Sequence, residues 1–126
     1  MDFALTEEHH MVQQMVRDFA QKEVAPVIQE YDRKQEMAPF VLQRMGELGI
    51  LGICLPVKYG GQGMDYVSLG LACEELEAVD TTLRVVMSVH VGLCALTVFQ
   101  WGTEEQKEKF LVPLARGEKI GAGAFT

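Results

Sequence analysis

The sequence predicts an all-α fold, an orthogonal bundle of about five to six helices that ends at the start of a β-strand. Apolar residues recur with a helical period along most of the chain. Thr6, Asp65 and Thr103 are residues typical of helix N-caps and precede helical patterns. The stretch 83–101 is the most apolar of all and predicts a central helix around which the others pack.

The central stretch reads LRVVMSVHVGLCALTVFQW and carries apolar residues on nearly every side of a helix. Little of its circumference is therefore expected to face water. Arg84, Ser88 and His90 interrupt the run, so a core helix is favoured over a membrane span of about 20 residues.

Before Asp65, the sequence predicts three helices and an ordered loop. The first helix begins after Thr6 and breaks at Pro26, beyond which residues 27–34 form a short helix bent away. The helical period resumes from Phe40 and ends at Gly49. Residues 50–63 hold several glycines and a proline among apolar residues, which predicts a loop with unusual backbone angles rather than a flexible linker.

The remaining helices are predicted from their capping residues. Asp65 starts a helix of residues 66–78 whose apolar Val67, Leu71 and Leu76 are placed opposite three glutamates. Thr103 and Gln106 match a capping box, and Gly117 ends that helix. The tail from Ile120 is small and apolar without a helical period, as at the start of a strand. We therefore predict a helical domain at 1–118 and the beginning of a β domain at 119–126, within a longer protein.

Composition excludes several function classes. A net charge of −7 argues against binding to nucleic acid or an anionic membrane surface. Three unpaired cysteines fit a reducing compartment, and the first residues lack a secretory signal. The expected location is therefore the cytoplasm of a bacterium or the mitochondrial matrix.

Few residues suggest chemistry by themselves. His9 and His10 are interpreted as solvated histidines at a helix start, and His90 as a satisfied, partly buried histidine rather than a catalytic one. The glutamates at 74, 75 and 77 are interpreted as a solvated face rather than a carboxylate pair. We predict no catalytic residue, no metal ligand and no phosphate-binding loop in this chain.

Two stretches carry a resemblance. LGILGICLPVKYGGQGMDYVSL resembles the loop before the fourth helix of acyl-CoA dehydrogenases, and GTEEQKEKFLVPLARGEKIGAGAFT resembles the approach to their flavin-binding strand. The resemblance implies the amino-terminal helical domain of a flavoprotein that removes two hydrogens from an acyl-CoA thioester and passes a hydride to FAD. It also implies electron-transfer flavoprotein as the electron acceptor and a homotetramer or homodimer at full length. The family's catalytic glutamate lies further along the chain, so this part alone is expected to be inactive.

The same resemblance assigns site residues. Gly123, Ala124, Phe125 and Thr126 match the start of the flavin-contacting motif, although Gly123 stands where many members have an aromatic residue. The central helix is implied to line the acyl-chain tunnel. Its expected wall consists of Val85, Val86, Val89 and Leu93, although periodicity alone would make these valines core residues.

Arg84 has two interpretations. It can pair with an acid such as Glu77 or Asp80, or it can face the substrate together with Ser88. DTTLRVVMSVH resembles glutaryl-CoA dehydrogenases, in which an arginine and a serine so placed hold the distal carboxylate. Val85, His90 and Val91 depart from that pattern, which favours an ordinary short or branched acyl chain.

Two other functions remain open from the sequence. One is a flavoprotein on the same fold, such as an acyl-CoA oxidase, a nitroalkane oxidase or a flavin-dependent hydroxylase. The other is a stand-alone helical interaction module.

Overall fold

The computed structural model describes residues 2–126, and these contain five helices and no β-strand. The predicted all-α fold is confirmed. Helix α1 covers 7–34 and consists of Glu7–Phe19, a π-helical turn Ala20–Val24, and Ala25–Lys34. Helix α2 is Val41–Glu47 and helix α3 is Tyr66–Glu77.

Helix α4 is the central helix, Thr81–Trp101, and contains a long π-helical section, Ser88–Ala95, between Thr81–Met87 and Leu96–Trp101. Helix α5 covers 104–115 and also has a π-helical turn, Lys107–Leu111, between Glu104–Gln106 and Val112–Ala115. The tail from Ile120 to Thr126 has no regular secondary structure. Because the described residues offer it no strand to pair with, the predicted strand start stays a prediction.

The predicted caps form. The hydroxyls of Thr6 and Thr103 accept from the backbone N–H three residues later, and the Asp65 carboxylate does the same at α3. At Thr103 the partner is Gln106, as predicted. Each side chain satisfies one of the N–H groups that the first turn of a helix leaves unpaired.

The predicted break at Pro26 is wrong. Helix α1 passes through this residue because the N–H of Ala25 donates to Ala20 O, five residues back, in a π turn. A proline inside a regular helix crowds the carbonyl four residues earlier and lacks the N–H that this carbonyl would accept. The π turn widens the backbone just ahead of Pro26 and so accommodates the ring without ending the helix.

His9 is a second correction, because it joins two helix starts rather than facing solvent. Its Nδ1 accepts from the Thr6 N–H at 3.1 Å, which leaves Nε2 to donate to Asp65 Oδ2 at 2.7 Å. The side chain of His9 therefore closes the capping box of α1 and contacts the cap of α3. His10 is exposed, as predicted.

The buried face of α3 also differs from the prediction. It consists of Ser68, Ala72, Glu75 and Leu76, while Val67 is exposed. Glu75 is buried because Arg17 on α1 reaches its carboxylate with two hydrogen bonds. Of the three predicted surface glutamates, Glu74 and Glu77 are exposed.

The loop between α2 and α3 is ordered, as predicted. It holds two short 3₁₀ helices, Ile50–Gly52 and Val57–Tyr59. Gly49, just after α2, has a φ of 75°, a conformation that a residue with a side chain rarely adopts. Gly52 lies against α5, and a Cβ added there would sit 2.3 Å from Ala115 O. The loop packs its apolar side chains into the core.

The core forms in two clusters. The larger lies among α1, α2, α3, the start of the loop (50–54) and the first half of α4. The smaller joins the rest of the loop to the second half of α4 and to α5. Helix α4 takes part in both and is central, but it is not buried on most sides as predicted: 28% of its most apolar window is buried within this chain. Among the described residues, this is the one helix long and apolar enough to cross a membrane, which is a weak indication because core helices of soluble proteins share these properties.

Candidate functional site

The exposed side of α4 is apolar. Val85 is 42% exposed and Leu93 is 48% exposed, while Val89 lies between them and is partly exposed. Val86 is partly buried against the larger core cluster. The residues expected to form an acyl-chain wall therefore include an unpartnered apolar stripe on α4. Apolar side chains left open in this way are typical of a surface that another domain or a ligand covers.

The backbone of α4 is unusual along this stripe. The π-helical section Ser88–Ala95 contains Ser88, Val89 and Leu93, and the Leu96 N–H donates to Val91 O, five residues back. A π-helical turn widens the helix and shifts the side chains after it around the axis. Such turns are frequent at functional sites.

An open groove of about 450 Å³ lies where α4, α5 and the tail meet. Leu93 is on its α4 side, Phe110 is on its α5 side, and the tail contributes Gly123, Ala124 and Phe125. The structure thus brings one predicted wall residue together with three predicted flavin contacts. Its lining contains Cys94 and no carboxylate, histidine, lysine or arginine.

The tail is attached to α4 by side-chain contacts. The Gly121 N–H donates to Nδ1 of His90 at 3.0 Å, and Sγ of Cys94 donates to Ala122 O at 3.1 Å. Gly121 lies so close to α4 that a Cβ added to it would be 2.6 Å from the Cβ of Cys94. The tail therefore follows a defined path across α4.

Arg84 lies at the other end of the exposed stripe and is already paired. Its Nε donates to Glu77 Oε2 at 2.8 Å, and Nη1 lies 3.4 Å from the Ser88 hydroxyl, which itself donates to Arg84 O at 2.9 Å. The side chains of Arg84 and Glu77 are both partly exposed. The proximity of Arg84 and Ser88 follows from their spacing of four residues.

The model of the acyl-CoA dehydrogenase N-terminal domain matches residues 6–118. The chain belongs to the acyl-CoA dehydrogenase family. It is 48% identical over its whole length to a short-chain specific acyl-CoA dehydrogenase of Clostridium acetobutylicum, of which it covers 33%.

Solved structures of the family have the same fold. Butyryl-CoA dehydrogenase from Megasphaera elsdenii matches with a TM-score of 0.90 and 41% identity, over 95% of this chain and 32% of that one. Glutaryl-CoA dehydrogenase from Mycobacterium smegmatis matches with a TM-score of 0.85 and 35% identity, over 93% of this chain and 30% of that one. The chain thus spans about a third of the length of the relatives it matches, which include bacterial and mitochondrial enzymes.

The tail of this dehydrogenase domain offers groups that suit a flavin. Among the described residues, the backbone of 123–126 makes no hydrogen bond within the chain, and the side chains are exposed. Free N–H groups and the Thr126 hydroxyl are donors of the kind that flavin ring oxygens and nitrogens accept. Gly123 and Ala124 are small enough for the backbone to approach a planar ring closely. These residues fit the cofactor that the family implies.

Within this domain, only some of the predicted site residues lie close together. Leu93 shares the groove with Gly123, Ala124 and Phe125, whereas Arg84, Val85, Val86, Ser88 and Val89 do not line it. Thr126 lies beyond the lining residues. Sequence reasoning missed the α5 side of the groove, including Phe110 and Leu114, since no local pattern shows where the tail passes between two helices.

His90 was predicted to be satisfied and partly buried, and the structure shows it satisfied and fully buried, with 0% exposure. Besides Gly121, it contacts Leu114, whose carbonyl oxygen lies 3.0 Å from Nε2. Burial lowers the pKa of His90 below its usual value. Among the described residues there is no group of three or more His, Cys, Asp or Glu side chains that could hold a metal ion.

Proposed function

We propose that this chain is the amino-terminal helical part of a flavin-dependent acyl-CoA dehydrogenase, which catalyses α,β-dehydrogenation of an acyl-CoA thioester with hydride transfer to FAD. The observation that carries the proposal is the groove in which Leu93 of α4 meets Gly123, Ala124 and Phe125 of the tail. It joins the apolar stripe of a predicted acyl-chain wall to the residues predicted to contact flavin.

In this proposal, α4 contacts the acyl chain and the tail contacts the flavin. Val85, Val89 and Leu93 form one wall of the acyl-chain pocket and exclude water from the reacting carbons. Backbone N–H groups of the tail and the Thr126 hydroxyl hold the flavin ring, which supplies the hydride acceptor when bound. The groove lining contains no carboxylate, and the family resemblance assigns the base that takes the α-proton to a glutamate further along the full-length protein.

The proposed substrate is a short, uncharged acyl chain such as butyryl-CoA. Arg84 is engaged by Glu77 through a 2.8 Å hydrogen bond, which favours a structural role over recognition of a distal carboxylate. The similarity to short-chain and butyryl-CoA dehydrogenases supports the same choice. The similarity to glutaryl-CoA dehydrogenase keeps a dicarboxylic acyl chain as the second candidate.

The proposed partners follow from the family. Electron-transfer flavoprotein accepts the electrons, and the full-length enzyme is a homotetramer or a homodimer. We place the enzyme in the bacterial cytoplasm or the mitochondrial matrix, since relatives occur in bacteria and in mitochondria.

The test uses a full-length dehydrogenase that carries this domain, mixed anaerobically with butyryl-CoA. The flavin absorbance should bleach and crotonyl-CoA should form. A full-length protein that retains no flavin, or a flavin that butyryl-CoA does not reduce, would contradict the proposal. The 126-residue chain alone should neither retain flavin nor reduce a dye with acyl-CoA, because it supplies only part of the ring contacts and no base.

A matched pair of variants tests the pocket wall. Val89→Trp places a large ring on the proposed wall, whereas Val67→Trp places the same ring on the exposed side of α3. The first should lower kcat/KM for butyryl-CoA by roughly tenfold or more, and the second should leave it unchanged. Equal effects of the two substitutions on kcat/KM would show that this side of α4 does not line the pocket.

A further inference from the structure

His90 is completely buried and is surrounded by backbone hydrogen-bonding groups. Nδ1 lies 3.0 Å from the Gly121 N–H, and Nε2 lies 3.0 Å from Leu114 O. A backbone N–H only donates, so Nδ1 must be the acceptor. The ring proton therefore stands on Nε2 and is donated to Leu114 O, which fixes a single neutral tautomer.

These two bonds connect different parts of the domain. The bond to Leu114 joins α4 to the last turn of α5. The bond to Gly121 joins α4 to the tail, two residues before Gly123. The first is a contact between helices, but the second determines where the exposed part of the tail begins.

A second contact holds the next residue of the tail. Sγ of Cys94, one turn after His90, donates to Ala122 O at 3.1 Å. Gly121 packs so tightly against Cys94 that no side chain would fit between them. Beyond Ala122, the tail residues 123–126 are exposed and make no backbone hydrogen bond within the described chain. The position of these four residues therefore depends on how 121–122 are held.

We propose that His90 is a positioning residue for the cofactor, acting through the Gly121 amide to aim the flavin-contacting residues 123–126; this role rests on the function proposed above. His90 itself touches no reacting group. Its neutral imidazole accepts from the tail while it donates to α5, so the flavin segment and the helical core are aligned by one side chain. Flavin binding then requires less ordering of the tail than a free segment would need.

Two substitutions separate this role from simple core packing. The amide oxygen of Asn stands where Nδ1 stands in His, counted in bonds from Cα, and the amide nitrogen of Gln stands where Nε2 stands. His90→Asn therefore keeps the acceptor for Gly121, and His90→Gln keeps the donor for Leu114 O. Both variants lose part of the ring volume, so both should lower stability.

The first experiment measures hydrogen exchange at the Gly121 amide by NMR in the 126-residue chain, which needs no flavin. In the parent, this amide should be protected and the His90 nitrogens should give the shifts of a neutral ring protonated at Nε2. His90→Asn should keep the protection, and His90→Gln should lose it by about fivefold to tenfold, the value of one hydrogen bond. An unprotected Gly121 amide in the parent would overturn the proposal without any variant.

The second experiment measures FAD dissociation and the flavin absorption spectrum in a full-length dehydrogenase that carries this domain. His90→Gln should raise the dissociation constant of FAD by about fivefold to tenfold and shift the spectrum, while His90→Asn should remain within about twofold of the parent. Equal effects of the two variants on FAD would overturn the positioning role alone. A full-length parent that retains no FAD would overturn both the proposed function and the positioning role of His90. The hydrogen bond between His90 and Gly121 would still be supported by the hydrogen-exchange data. If neither variant folds, Cys94→Ala removes the second contact, and an unchanged FAD affinity and spectrum in that variant would count against positioning through 121–122.

Discussion

Arg17 on α1 and Glu75 on α3 form a two-point ion pair, with Nε 2.9 Å from Oε2 and Nη2 2.7 Å from Oε1. Glu75 is 8% exposed, so its carboxylate depends on Arg17 for charge compensation. The hydrogen bond from Arg17 lowers the pKa of Glu75, which keeps the carboxylate charged. This pair secures the contact between the two helices that pack most extensively in the domain.

Glu75→Gln should lower the free energy of unfolding by about 1–2 kcal/mol, because an amide replaces a charged acceptor at a buried position. Arg17→Met should cost more than Glu75→Gln, since it leaves a buried carboxylate without a charged partner. The measurement is urea unfolding followed by circular dichroism. Glu74→Gln, at an exposed neighbour, is the control and should not move the midpoint. A larger loss in Glu75→Gln than in Arg17→Met would contradict this account.

Acid should destabilise the domain in two separate pH ranges. Burial lowers the pKa of His90 from its usual 6.5, so the unfolded chain binds this proton more readily. Stability from His90 is thus complete above pH 6.5 and declines as pH falls toward the lowered pKa. The Ser68 N–H, with His9, holds the pKa of Asp65 at about 2 instead of 3.8, so its contribution is lost only between those values.

His90→Asn should therefore remove the decline that begins just below pH 6.5 and leave the decline below pH 3.8. Asp65→Asn should keep the decline that begins just below pH 6.5 and weaken the one below pH 3.8, because an asparagine still caps the helix but does not titrate there. Part of the acid decline should remain, since the hydrogen bond from Arg17 also lowers the pKa of Glu75. Urea unfolding at closely spaced pH values measures both. The same slope below pH 6.5 in His90→Asn and in the parent would assign that range to other groups.

The loop before α3 depends on a close backbone contact. Gly52→Ala would place a Cβ 2.3 Å from Ala115 O, and both residues are buried. The loop and α5 must separate to admit it, at a cost of about 1–3 kcal/mol. Gly70→Ala is the control, because a Cβ there meets nothing within 4 Å and lies in the interior of α3. That variant should gain about 0.5–1 kcal/mol from helix propensity. Stabilisation by both alanines in urea unfolding would show that the contact is looser than 2.3 Å.

The sequence predicted contacts between residues that are close in the chain, but not contacts between residues that are far apart in it. The caps at Thr6, Asp65 and Thr103 were predicted correctly because each bond spans three residues. The burial of Glu75 was not, since its partner lies 58 residues earlier. The helix through Pro26 was missed for a related reason: a π turn leaves no signature in the local sequence, and a proline alone indicates a break.

The candidate site shows the same division. Family resemblance predicts that the tail at 123–126 contacts flavin and that α4 lines the acyl chain, but it does not predict the groove between them. The groove exists because His90 and Cys94 hold the tail at Gly121 and Ala122, across gaps of 31 and 28 residues. Periodicity also predicted an α4 buried on most sides, because it cannot tell a helix surrounded by this chain from one that leaves a face for other contacts.

The exposed apolar groove between α4, α5 and the tail should make the 126-residue chain self-associate. Leu93, Phe110 and Phe125 expose apolar surface around one groove. Leu93→Lys should shift the chain toward monomer, whereas Val57→Lys, with the same change in charge at an exposed position outside the groove, should not. Light scattering over a range of concentrations measures this. A parent chain that stays monomeric at high concentration would contradict the prediction.

Arg84 decides between the two candidate substrates. Its bond to Glu77 at 2.8 Å predicts that Arg84→Met, in a full-length dehydrogenase carrying this domain, acts through structure. A partly exposed ion pair contributes less than about 1 kcal/mol, so activities on butyryl-CoA and glutaryl-CoA should change little and to the same extent. Glu77→Gln should behave in the same way, since it removes the same pair. If Arg84 instead binds a distal carboxylate, Arg84→Met alone should reduce glutaryl activity, by roughly 2 to 4 kcal/mol in transition-state terms. In that case Glu77→Gln should preserve it, because the guanidinium would still be present and free to bind the substrate.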